Sequence, residues 1–247
     1  MAKKSLFSFR TIERFFMPKV TPISNNSNPH RMLEAFSTHV VKAVKRNQKL
    51  NPQDFSDRLK AIGDVFVKQD QVASMNKGSR TLAERLVSMN NLPFAGRVYS
   101  FLIKLNKGND KAVEEFATNA MAIAKRLHDP IHIMARANDL KEIYKNSNPD
   151  KYLSTLYDEK RALNMIIKDY NRVKQQFESS RTKMKPVENY EAKLGAIKLE
   201  IAEMNLAKGD KHSAKIELEE ALQIYKKLGA GPNSTKIEQL LMDISSK

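Results

Sequence analysis

His128 and His132, with Asp129 between them, have the number spacing of a helical two-histidine metal site. Pro130 falls inside that span and interrupts the helix that would carry both rings to one side, so no metal centre is expected. The carboxylate pairs Glu114-Glu115 and Glu219-Glu220 are adjacent in sequence. Adjacent side chains diverge on a helix, so these pairs read as surface charge rather than as an acid and a base flanking a substrate. The chain has no Cys, which removes disulfides, thiolate ligands and a cysteine nucleophile, and fits a reducing, cytoplasmic setting. No phosphate-cradling glycine loop, nucleophile elbow or metalloprotease helix is present. The expectation is a non-enzymatic protein with no cofactor, no metal and no small-molecule substrate.

Binding chemistry is better represented. Lys42, Lys45, Arg46 and Lys49 follow an i, i+3, i+4, i+7 spacing, opposite the apolar set Leu33, Phe36, Val40 and Val44. Such a face neutralises phosphates or an acidic peptide through salt-sensitive contacts, and as an ordinary solvated helix surface it needs no partner at all. No aromatic residue interleaves the four cations to stack bases, which weighs against nucleic acid. A second candidate is the segment 1–17, where Lys3, Lys4, Arg10 and Arg14 mix with Leu6, Phe9, Ile12 and Phe16. It reads as an arm for an anionic membrane surface or a partner, with a disordered tail or a helix docked back on the domain as competing readings.

Net charge is +15, from 43 Lys plus Arg against 28 Asp plus Glu. Residues 1–50 hold ten cations and two carboxylates, or +8, so about half of the excess lies in the first fifth, where an electrostatic partner is met first. No run reaches the roughly 18 apolar residues that a spanning helix needs.

The elements that would position these groups are helical. Gly and Pro are few (8 and 9), Trp is absent, and no run of alternating strands appears, so the expected class is all-α. Pro18, Pro22 and Pro29 with the Ser/Asn run 24–28 mark a linker, dividing a basic aromatic arm and linker at 1–29 from a helical domain at 30–247. Asn28-Pro29, Asn51-Pro52 and Asn148-Pro149 each place a capping side chain before a residue suited to the first helical turn. Helices are expected at 30–50, from 52, and at about 79–90, 93–106, 110–128, 131–146, 150–180, 187–207, 211–228 and 233–245. In the segment 150–180, Leu156, Leu163, Tyr170 and Phe177 recur at seven, with Tyr152, Ile166 and Val173 in the companion phase, a seam for an internal helix pair or a homodimer, with Glu159 spoiling the phase.

The stretch from Ala196 to Leu228, AIKLEIAEMNLAKGDKHSAKIELEEALQIYKKL, carries the strongest organisation. Ala202, Ala214 and Ala221 are small enough for two antiparallel helices to approach closely, and Gly209-Asp210 supplies the reversal. This stretch resembles a tetratricopeptide repeat, with Ile201 and Leu218 at apolar sites of the same frame. Asn205 stands where that family usually has an aromatic residue, and Lys226 where a proline often closes the unit. A second candidate turn, Lys107 to Asp110, is followed by Val113, Ala117 and Ala120 in frame, but Phe101 stands where a small residue is expected.

The resemblance implies units of about 34 residues stacked into a right-handed superhelix of antiparallel helix hairpins, with an irregular helical bundle as the alternative architecture. It also implies a scaffold or adaptor for protein–protein interaction that holds a peptide or partner helix, an acidic partner included. The competing function is association of the basic N-terminal half with nucleic acid or an anionic membrane surface, which would place the protein at a membrane periphery.

Overall fold

The computed structural model describes residues 28–172, 174 and 186–245. Its helices are α1 (Pro29–Lys45), α2 (Pro52–Lys68), α3 (Val72–Ser88), α4 (Leu92–Leu105), α5 (Asp110–Arg126), α6 (Pro130–Tyr144), α7 (Pro149–Lys168), α8 (Val187–Ala207), α9 (Lys211–Lys227) and α10 (Gly231–Ser245). No strand occurs among the described residues. The candidate arm, with Lys3, Lys4, Phe9, Arg10 and Phe16, lies outside them.

Helix starts follow from the capping residues. The side chains of Asn28, Asn51, Asn109, Asp129, Asn148 and Asp210 each accept a bond from an amide of the first turn, and Pro follows four of them at the first helical position. Six helix ends, those of α1, α2, α3, α5, α8 and α9, share one geometry. Asn47, Asp70, Asn90 and His128 adopt left-handed φ values of 49–55°, and Gly209 and Gly229 stand at 80° and 69°. Behind each of these residues the next amide donates back to a carbonyl five positions earlier, as in Gln48 to Ala43 at 2.9 Å, Asn91 to Leu86 at 2.8 Å and Asp210 to Asn205 at 2.9 Å. These bonds satisfy the last carbonyls of the six helices and reverse the chain in three residues, or in six after α1. Consecutive helices are therefore antiparallel.

The left-handed positions fall 20 residues apart from 70 to 90, from 108 to 128 and from 209 to 229. A helix pair thus spans about 40 residues rather than the 34 expected of a tetratricopeptide unit, which is why the frame set on Gly209 does not run through the chain.

Packing is sequential. Substantial contacts join each helix to the next, and α1 to α3 and α2 to α4. Leu33 of α1 rests on Gly78 of α3, and the Phe101 ring of α4 rests on Gly63 of α2, where an added Cβ would lie 2.5 Å from the ring. Phe101, bulky where a small residue was expected, is thus accommodated by its neighbour. One core runs from Leu33 to Ile201, and a smaller one joins Ala202, Ala214, Leu218, Ala221, Tyr225 and Ile237. The fold is an all-α stack of antiparallel helix hairpins.

Three sequence expectations need correction. The helix expected at 30–50 ends at Lys45, because Asn47 turns left-handed. Its buried face uses Ala43, with Val44 only partly covered. The helix expected from about 79 begins at Val72, where Gln71 gives no side-chain cap and so left no signal in the sequence. The long helix at 150–180 is interrupted after Lys168: Asp169 leaves helical geometry (φ −110°, ψ 29°), with its carboxylate 2.5 Å from Arg172, and residues 170–172 and 174 are helical again. Val173 and Phe177 lie outside the described residues, whereas Tyr152, Leu156, Leu163 and Ile166 are buried within the stack, so the seam serves internal packing.

Candidate binding surface

Gly209, with Ala202, Ala214 and Ala221, forms the close hairpin that the sequence implies. The three alanines are fully buried between α8 and α9, Gly209 turns left-handed, and the Asp210 side chain accepts from the Ser213 amide at 3.0 Å. That bond holds the Asp210 carboxyl below its usual range. Asn205, buried where an aromatic was expected, donates to the Tyr157 hydroxyl of α7 at 3.3 Å, and Lys226 pairs with Glu238 of α10 at 2.8 Å. Ala202, Ala214, Ala221 and Asn205 are buried between neighbouring helices, whereas Gly209, Asp210 and Lys226 stay exposed at the turns.

Around that hairpin the structure places charges that the sequence did not reveal. Glu159, fully buried in α7, meets Lys141 of α6 and Lys193 of α8, each 2.5 Å from one carboxylate oxygen. A second set links Lys160 of α7 to Glu217 of α9, Glu217 to the buried Lys198 of α8 at 3.3 Å, and Lys198 to Glu220. The bond from Lys198 holds the Glu220 carboxyl below its ordinary range. Tyr152 donates to Glu200, and burial first, then that carboxylate, pushes its phenol well above the usual value. Only spacing was visible beforehand, and spacing does not say which helices become neighbours.

The residues tested for catalysis are dispersed. Glu114 accepts from the Tyr144 hydroxyl (2.8 Å) and from Lys151 (2.7 Å), which holds its carboxyl below the ordinary range. Its neighbour Glu115 pairs with Arg80 at 2.8 Å. Glu219 faces Lys215 while Glu220 faces Lys198. His128 occupies a left-handed turn, and His132 Nδ1 lies 2.7 Å from the Asp129 carboxylate that caps its own helix. Burial acts to raise Asp129, and the bonds from His132 outweigh it, leaving the carboxyl below its usual range. Among the described residues no group of three metal-ligating side chains converges, and no helix is long and apolar enough to cross a membrane.

The four cations of the candidate anionic-partner face all remain exposed, but at a turn rather than along one helix. Lys42 and Lys45 occupy the last turn of α1, Arg46 is its C-cap, and Lys49 follows the left-handed Asn47. Beside them, the α1–α2 and α3–α4 turns enclose an open cleft of about 530 Å³, lined by residues that include Val44, Lys45, Asn47, Gln48, Asn90 and Asn91. Sequence reading missed Asn90 and Asn91, because only the side-by-side packing of α1 and α3 brings them there.

No protein-family model matches this chain, nor does any curated protein. Among solved structures it is similar to BtubC (BKLC) from P. vanneervenii, at 14% identity and a TM-score of 0.39 over 90% of this chain and 92% of that one. It is similar also to a Podosopora anserina protein with nearly identical tetratricopeptide-like repeats, at 14% identity and a TM-score of 0.31 over 82% and 98%. A tetratricopeptide repeat protein from Parabacteroides merdae matches at 12% identity and a TM-score of 0.24 over 89% and 99%.

Proposed function

We propose that this chain is a non-enzymatic scaffold whose stacked helices hold a protein partner, either a peptide or a helix. The observation that carries the reading is neighbour-only packing: substantial contacts run between helices adjacent or next but one in the chain. A stack built this way grows in one direction and leaves a continuous surface of successive helices and turns open along its length. Interior charges support the same reading. Lys141, Glu159, Lys193, Lys198 and Glu217 are spent on one another between helices, in positions that fix the register of the stack rather than facing a cavity. Cross-linked affinity capture at moderate salt tests it. The scaffold reading expects one discrete protein partner, and recovery of nucleic acid alone would overturn it.

A second reading is favoured by the charge distribution. The ion pairs named above lie between Arg80 and Glu238, whereas the first fifty residues carry +8. Association of this N-terminal half with an anionic membrane or polymer predicts that deleting residues 1–29 weakens liposome flotation or nucleic-acid gel shifts. Unchanged behaviour after deletion removes the arm as an anchor.

A further inference from the structure

The cleft between the α1–α2 and α3–α4 turns combines two kinds of group that a folded chain ordinarily uses up. The first is cationic. Lys45 lines the cleft, Lys42, Arg46 and Lys49 stand within four residues of it in an eight-residue stretch that contains no carboxylate, and Arg85 stands in the last turn of α3, which runs beside α1. None of the five forms an ion pair with a described residue, and the carboxylates in the adjoining turns of α2 and α3 are Asp54, Asp57 and Glu84. The second kind is amide. Asn47, Gln48, Asn90 and Asn91 line the cleft, and their side chains make no hydrogen bond with a described residue. Asn91 stands at the N-cap of α4 yet does not cap it, unlike the Asn or Asp before α1, α2, α5, α6, α7 and α9.

The helix dipoles at this end offset one another, because the C-termini of α1 and α3 alternate with the N-termini of α2 and α4. Side-chain charge therefore sets the sign of the local field. Carboxamides supply both a donor and an acceptor, which matches the alternating C=O and N–H groups of an extended peptide backbone. A phosphate or sulfate offers acceptors only, and no aromatic ring lines the cleft to stack a base.

From these observations we infer that the cleft receives an extended acidic segment of a protein partner, its backbone bonded by the four carboxamides and its carboxylates facing Lys42, Lys45, Arg46, Lys49 and Arg85. The inference rests on the scaffold reading and names the chemistry of its partner.

The test is fluorescence anisotropy with a labelled octapeptide of alternating Glu and Ser, titrated with the full chain. Binding is expected to weaken as salt rises, to fall about tenfold or more in Lys45→Glu/Lys49→Glu, and to fall a few-fold in Asn90→Ala/Asn91→Ala. It is expected to be unchanged in Lys104→Glu/Lys107→Glu at the other end of α4, on the opposite edge of the stack. Circular dichroism checks that each variant folds. Failure of the peptide to bind, an equal loss in the control variant, or no effect of the amide variant overturns the inference. So does a labelled single-stranded RNA octamer, or vesicles containing phosphatidylserine, that depend on Lys45 and Lys49 while the peptide does not. A cross-linked partner whose capture survives Lys45→Glu/Lys49→Glu removes this inference and leaves the scaffold reading standing.

Discussion

Glu159 shows how the chain spends a charged residue. It is completely buried, and its two lysine side chains are 17% and 35% exposed, so the carboxylate carries most of the desolvation. Removing one member of a buried ionic cluster is costly, whereas replacing the whole cluster by apolar groups is often neutral. Glu159→Leu is therefore expected to lose about 3 kcal/mol in urea unfolding, and Lys141→Met/Glu159→Leu/Lys193→Met to recover most of that loss. A triple variant no more stable than the single one would mean that Glu159 matters through shape rather than charge. Glu114 and Glu220 carry a different signature. Bonds from Lys151 and Tyr144, and from Lys198, depress their folded values, so their stabilisation is present above the unfolded carboxylate range and is lost as pH falls through the folded values. Between pH 7 and pH 3 the wild-type urea midpoint should therefore drop further than that of Glu114→Gln/Glu220→Gln. Equal drops would assign the acid sensitivity elsewhere.

At the scale of elements, the sequence was legible wherever local chemistry decides the backbone. Asn-Pro marked the starts of α1, α2 and α7, and Gly209 marked the bend between α8 and α9, because a cap or a left-handed residue acts within a few positions of itself. It was illegible where a helix ends on an ordinary residue. Asn47 adopts a left-handed φ without glycine, so the periodic pattern read straight past that turn to residue 50, whereas the equally left-handed His128 was marked as a break only by the Pro130 that follows it. The buried lysines and glutamates of α7, α8 and α9 looked like surface residues, since their partners come from other helices up to 57 positions away. The cleft amides were hidden for the same reason. His128 permits a direct check of the turn geometry. Its φ of 49° strains a side-chain-bearing residue and suits glycine. His128→Gly is expected to keep or raise the thermal midpoint, and the β-branched His128→Val to lose about 1–2 kcal/mol. Equal stability of the two variants would show that the turn relaxes to another conformation.

Across the whole molecule the two ends are held by different means. Near the N-terminal end of the stack, Phe36, Phe55 and Phe94 meet with ring centroids 5.2 and 4.9 Å apart, and His30 meets Phe66 edge-on at 5.1 Å, all within or against the main core. The C-terminal end has a core of its own, built on three alanines with Leu218, Tyr225 and Ile237; α9 reaches α7 through the ion pair of Lys160 with Glu217, and α8 joins the main core through Leu194, Ile197 and Ile201. Aromatic side chains bury far more apolar area than alanines, and buried ion pairs return little net stability once their desolvation is counted. In a stack where each helix leans on its neighbours, the end with the weaker interface opens first and as a unit. Native-state hydrogen exchange should therefore show the amides of Leu218, Ala221 and Ile237 opening together at a lower free energy than those of Leu102, Phe116 and Ala117. The amides of Leu59 and Phe66, although near the other end, should follow the interior set. If α9 and α10 exchange only with global unfolding, the two cores form one cooperative block, and the charges between α7, α8 and α9 bind the stack as tightly as the phenylalanines do.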